Sequence, residues 1–128
     1  MTANEHVVKA EPTDGISLNN LAWLYYTQGD ERALETARKA QAAMPGNGSV
    51  LDTLGWILVE AGELEEGISV LTNAVERSDA HPTVRYHLAE GYARSGDTDA
   101  AKAILTEILA NSENFDGRSD AERLLGEL

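Results

Sequence analysis

LGWILVEAGE, residues 54–63, is the middle version of a phrase that occurs three times: LAWLYYTQGD stands at 21–30 and LAEGYARSGD at 88–97. The glycines closing the three, Gly29, Gly62 and Gly96, lie 33 and then 34 residues apart. A fixed period in this range marks a solenoid, in which each unit is one supersecondary element that buries its apolar face by stacking on its neighbours. Such scaffolds present surfaces, and what they do depends on local sites rather than on the fold.

Within each unit two apolar-periodic segments flank the glycine. Leu51, Leu54, Gly55 and Leu58 fall at i, i+3, i+4 and i+7, one face of a helix. Leu18, Leu21, Ala22 and Tyr25 match them in the first unit, and Arg85, Leu88, Ala89 and Tyr92 in the third. Glycine supplies the left-handed residue that ends a helix, and the acid that follows (Asp30, Glu63, Asp97) suits the next helix's N-terminal dipole. The second helices carry Ala33, Ala37 and Ala40, then Gly67, Leu71 and Ala74, then Ala101, Leu105 and Ile108. Small residues in the first of these columns let paired helices approach closely, which accounts for a mid-helix Gly67 costing about 1 kcal/mol of propensity against alanine. Pro45 and Pro82 lie in the connections between units, where a fixed φ and a missing N–H end a helix cheaply.

Pro12 precedes Pro45 by 33 residues, so residues 3–11 read as the last turns of a second helix whose partner lies further upstream. At the other end Ser119-Asp120-Ala121-Glu122 is a capping box, followed by a stripe of Ala121, Leu124, Leu125 and Leu128. Phe115 is placed to plug the end of the core. The units therefore run 15–47, 48–81 and 82–115, with 1–14 the end of a partial preceding unit and 116–128 a capping helix.

The 128 residues carry 22 acids and 10 bases, a net charge of −12 spread along the whole chain. With no Lys/Arg cluster to neutralise phosphates, nucleic acid is a poor partner, and so is an anionic membrane. No apolar run approaches the roughly 18 residues of a membrane span. The absence of cysteine excludes disulfides and thiolate metal sites.

A helix–turn–helix unit of this period, with small residues in these columns, resembles the tetratricopeptide repeat (TPR). The signature positions are Leu21, Ala22, Tyr25, Ala33, Ala40 and Pro45 in the first unit. Leu54, Gly55, Gly67 and Ala74 follow in the second, and Leu88, Ala89, Tyr92 and Ala101 in the third. The first inter-helix turn is one residue short, and Asp79 and Glu113 stand where proline is usual. The resemblance implies an all-α, right-handed superhelical solenoid that binds a peptide or protein segment along the concave face of its first helices. More finely, NNLAWLY, VLDTLGWILVEAGE and RYHLA are similar to the C-terminal repeats of bacterial TPR lipoproteins associated with PEP-CTERM/exosortase systems and exopolysaccharide export. That likeness implies envelope assembly and a periplasmic or outer-membrane-associated address, with a cytoplasmic one left open.

On the first helices, residues one step round from the core stripe are expected to face the groove. These are Asn19, Asn20, Trp23, Tyr26 and Thr27; then Asp52, Thr53, Trp56, Val59 and Glu60; then Tyr86, His87, Glu90 and Arg94. Trp23 and Trp56 share one column, and amphipathic aromatics are the preferred anchors of binding surfaces. They serve equally well as packing between adjacent first helices. Asp52, Glu60 and Glu90 favour a basic or hydrogen-bond-donating segment. TPR domains that clamp a carboxylate carry Lys, Arg and Asn here, so Arg94 alone argues against that mode.

Catalytic chemistry is not indicated. His6, His81 and His87 lack metal-ligand spacing, no phosphate loop is present, and Ser69, Ser78 and Ser95 lack a nucleophile elbow. Asn47-Gly48-Ser49 fits a glycosylation sequon but reads as ordinary turn chemistry. The expectation is a scaffold without catalytic residues, cofactor or metal. The alternative is a structural spacer or self-association module, joining further repeats or a second copy through its exposed ends.

Overall fold

The computed structural model describes residues 14–79, 81–111 and 114–128, and the reading of residues 3–11, like His6 and Glu113, lies outside them. The described residues form α1 (Gly15–Thr27), α2 (Arg32–Ala43), α3 (Gly48–Glu60), α4 (Leu64–Arg77), α5 (Pro82–Ser95), α6 (Thr98–Asn111) and α7 (Arg118–Glu127). No strand occurs among them, and no helix is long and apolar enough to cross a membrane.

The thrice-written phrase ends each first helix in the same way. Gly29, Gly62 and Gly96 take φ of 71°, 88° and 93°. The N–H of the following acid reaches back to the carbonyl five residues earlier: Asp30 to Tyr25 at 2.8 Å, Glu63 to Leu58 at 2.9 Å, Asp97 to Tyr92 at 2.9 Å. This doubly bonded left-handed stop satisfies carbonyls the helix would leave orphaned. Asp97 then accepts from the N–H of Ala100, and Asp30 from that of Arg32, starting the second helices. Asn47 caps α3 through Val50 N–H at 3.0 Å, so its turn role holds.

Each helix packs on the next, and the column of small residues sets how closely. A Cβ on Gly67 would lie 2.8 Å from Val59 Cγ2, and one on Gly55 only 2.5 Å from Leu71 Cγ. Ala33, Ala37, Ala40, Leu71, Ala74, Ala101, Leu105 and Ile108 are buried as the periodicity requires. Each fully buried leucine contributes about 1.5–3 kcal/mol. First helices also touch one another, α1 on α3, α3 on α5 and α5 on α7. The second helices share no comparable packing, and an exposed Arg38–Glu66 ion pair at 2.8 Å bridges α2 and α4. The closer row lies on the inside of the curve, so the first helices line the concave side.

The C-terminal end departs from expectation. α7 begins at Arg118 with Gly117, at φ 96°, as its N-cap, and no side chain caps it. The expected capping box is therefore unused: Ser119 sits inside the first turn and Asp120 accepts from Arg123 Nη2 at 2.7 Å. The turn is set earlier, by Phe115 O accepting from Arg118 N–H and Gly117 O from Ala121 N–H. Phe115 itself packs against the cluster of Tyr86, Leu105, Ile108 and Leu124, at the end of the core as expected.

Candidate functional site

The concave side holds a cleft of about 700 Å³, bordered by α1, α3, α5 and the segment leading into α7. Its wall is a ladder of rings. Trp23 and Tyr26, one turn apart on α1, have centroids 5.1 Å apart. The hydroxyl of Tyr26 accepts from Trp56 Nε1–H at 2.9 Å and donates to Glu60 at 3.2 Å, tying α1 to α3. Trp56 in turn stacks on His87 of α5 at 4.5 Å and 28°, with Tyr86 6.3 Å away. Three successive first helices are thus joined through aromatic side chains.

The acids expected to attract a partner are largely occupied. Asp52 Oδ1 lies 2.7 Å from His87 Nδ1. Arg94 bridges Glu60 at 2.6 Å and Glu90 at 3.3 Å, with its guanidinium 5.7 Å from the Trp56 ring centre. Burial works to lower the Arg94 pKa, but Glu60 and Glu90 together hold it above the usual arginine value. Tyr86 donates to Glu90 at 3.0 Å, and burial, then Glu90, pushes its phenol well up. Burial also raises Tyr26, against the opposing hydrogen bond from Trp56. Glu60, Arg94 and Glu90 thus form a paired rim in which one guanidinium offsets one of the two carboxylate charges.

Of the residues expected in the groove, Asn19, Trp23, Tyr26, Asp52, Thr53, Trp56, Tyr86 and His87 border the cleft. Trp23 is 42% exposed, whereas Trp56 is half-buried between its neighbours, so the two column mates divide the roles of free surface and packing. Thr53 and Tyr86 are themselves buried and form its floor. Asn20 is exposed but away from the cleft, and Thr27 closes α1 by donating to Leu24 O. Val59 is a correction: it is 1% exposed, packed on Leu71 and Leu88. α3 is the middle first helix, covered from both sides, so its apolar stripe is wider than one face.

Periodicity alone does not place Ser49, His81, Thr83, Asp116 or Asp120 on this cleft, yet all five border it. The last two arrive with the capping segment, which lies outside the period, and Thr83 Oγ1 fastens it by donating to Asp116 O at 2.8 Å. His81 caps α5, its Nδ1 accepting from Thr83 N–H. Asn19 Oδ1 is buried in the wall without a hydrogen-bond partner.

The family model described as "Tetratricopeptide repeat" matches residues 58–128. Among solved structures the chain is similar to the Yersinia enterocolitica type III secretion translocator chaperone SycD (TM-score 0.75, 19% identity, 89% of each chain). It is also similar to PilW, a widely conserved type IV pilus biogenesis factor (TM-score 0.77, 20% identity), covering 95% of this chain and 59% of PilW. No curated protein matches it.

Proposed function

This chain belongs to the tetratricopeptide repeat family, and on that footing we propose that it is a non-catalytic scaffold that holds a protein segment in the concave cleft. The observation that carries this is Trp23: a large ring, 42% exposed, held at the open edge of an ordered aromatic wall. Exposed amphipathic rings on a pre-organised wall anchor partners at low entropic cost. Asn19, Tyr26, Asp52, Trp56 and His87 supply the remaining surface. The finer setting is bacterial envelope or exopolysaccharide-related assembly, in the manner of the PEP-CTERM-associated lipoproteins. The likeness to a secretion chaperone and a pilus factor supports that setting through the fold they share. Selection of a random peptide library on the immobilised chain tests the binding reading. Selected peptides are expected to quench tryptophan fluorescence and to lose at least about tenfold in affinity on Trp23→Ala. Peptides indifferent to Trp23→Ala would overturn it.

A second reading has its own observation. The column Leu24, Ile57, Gly91 faces the preceding unit: Ile57 is buried against Ala33 and Ala37, and a Cβ on Gly91 would press on Ile68 and Val59. Leu24 is 50% exposed, as is Ile16 at 54%, on a helix with no charged residue. That face suits a further repeat or a second copy stacking on α1. Sedimentation over a range of concentrations tests the second-copy case: Leu24→Glu abolishes any self-association, and a wild-type chain that stays monomeric throughout excludes it.

A further inference from the structure

The cleft's polar lining points to the chemistry of its occupant. Three carboxylates border it, Asp52 from α3, one of whose oxygens faces His87, and Asp116 and Asp120 from the capping segment, and among the described residues no lysine or arginine does. Of the neighbouring cations, Arg94 is held by Glu60 and Glu90 on the rim, and Arg123 reaches the cleft's own Asp120 from a solvent-exposed position. An exposed pair such as Arg123–Asp120 holds weakly and exchanges readily. The Asp116 carboxylate has no side-chain partner among the described residues, since only its main-chain carbonyl is engaged. Asn19 Oδ1, in the same wall, is a second acceptor without a donor, and it has almost no access to water. Among the described residues the uncommitted charge of the cleft is therefore negative, set against indole and phenol rings.

We propose that the segment held in the cleft is basic, and that it seats an arginine or lysine side chain between the Trp23–Trp56 wall and the carboxylates of Asp52, Asp116 and Asp120. This rests on the reading of the cleft as the binding site and adds the class of its partner. Arginine offers five donors and no acceptor, and its flat guanidinium stacks on aromatic faces. The chain already uses that stacking within itself, with Arg32 Cζ 4.4 Å over the Tyr25 ring and Arg94 beside Trp56. An apolar occupant would strip water from Asp116 without replacing its hydrogen bonds, and an acidic one would meet like charge.

The peptides that bind the wild-type chain and are lost on Trp23→Ala supply the test. Their Lys and Arg are expected to outnumber their Asp and Glu. The tightest of them should lose about tenfold in affinity on D116N/D120N, which removes charge from two surface-accessible positions, and weaken steeply with salt. Circular dichroism melting confirms that the double variant is folded. Trp23-dependent peptides that are neutral or acidic, or an affinity unchanged in D116N/D120N, would overturn this inference while leaving the cleft as the binding site. Failure to recover any Trp23-dependent peptide overturns both.

Discussion

Trp56 donates its indole N–H to the hydroxyl of Tyr26 at 2.9 Å, a bond across 30 residues of sequence that ties one repeat's first helix to the next. The same hydroxyl donates to Glu60, so one oxygen is shared by two helices and the charged rim. Removing it leaves the half-buried Trp56 N–H without its partner, while Glu60 keeps Arg94. Tyr26→Phe is therefore expected to destabilise the chain by about 1 kcal/mol, read as a lower urea midpoint with unchanged slope. It should also change Trp56 emission.

At Gly67 helix propensity and interhelical packing act in opposite directions. Alanine would gain up to about 1 kcal/mol as a helix former. Its Cβ would lie 2.8 Å from Val59 Cγ2 and 3.1 Å from Val59 N, and backbone cannot step aside. Packing wins, and Gly67→Ala should lower the melting temperature, with a cost of about 1–3 kcal/mol. Gly62→Ala meets no neighbour within 4 Å but must hold φ at 88°, which costs about 1–2 kcal/mol.

At the centre of the stack Leu54 and Leu58 are 1% and 0% exposed. Leu54→Ala removes contacts with Ala33 and Ala37 of the preceding unit as well as its own. A loss of about 2–5 kcal/mol is expected by denaturant titration, against less than about 0.5 kcal/mol for the exposed Lys102→Ala.

The solenoid and its stops were legible because the period writes them three times: the positive-φ glycines and the small-residue columns follow from spacing alone. The aromatic column was legible for the same reason, since Trp23 and Trp56 break the pattern at one position. What spacing could not show is pairing between helices. Glu60 read as a free acid until Arg94, on the next repeat's first helix, proved to bind it along with its own helix neighbour Glu90. Val59 was misplaced because a helix flanked on both sides buries more than one stripe, which a one-face rule does not anticipate. Asp116 and Asp120 were missed because the capping segment has no counterpart in the repeat. The capping box failed because the turn at Phe115–Arg118 starts α7 before Ser119 can cap it.

The raised phenols give a pH dependence. Tyrosine ordinarily ionises near 10.0, and both Tyr26 and Tyr86 are held above that in the folded chain. The unfolded chain releases these protons first, so it binds fewer protons than the folded chain above pH 10. Stability is full below pH 10 and falls as pH rises beyond it. The urea midpoint should decline as pH rises above about 10, and the Tyr26→Phe/Tyr86→Phe variant should show a shallower decline.

The central claim, that a protein segment lies against the aromatic wall, is tested most directly by ¹⁵N chemical-shift mapping with a library-selected peptide. The indole N–H signals of Trp23 and Trp56 and the amides around Asn19 and Asp116 are expected to move most, with α2 and α4 nearly unchanged. Shifts concentrated on the second helices, with both indole signals still, would contradict it.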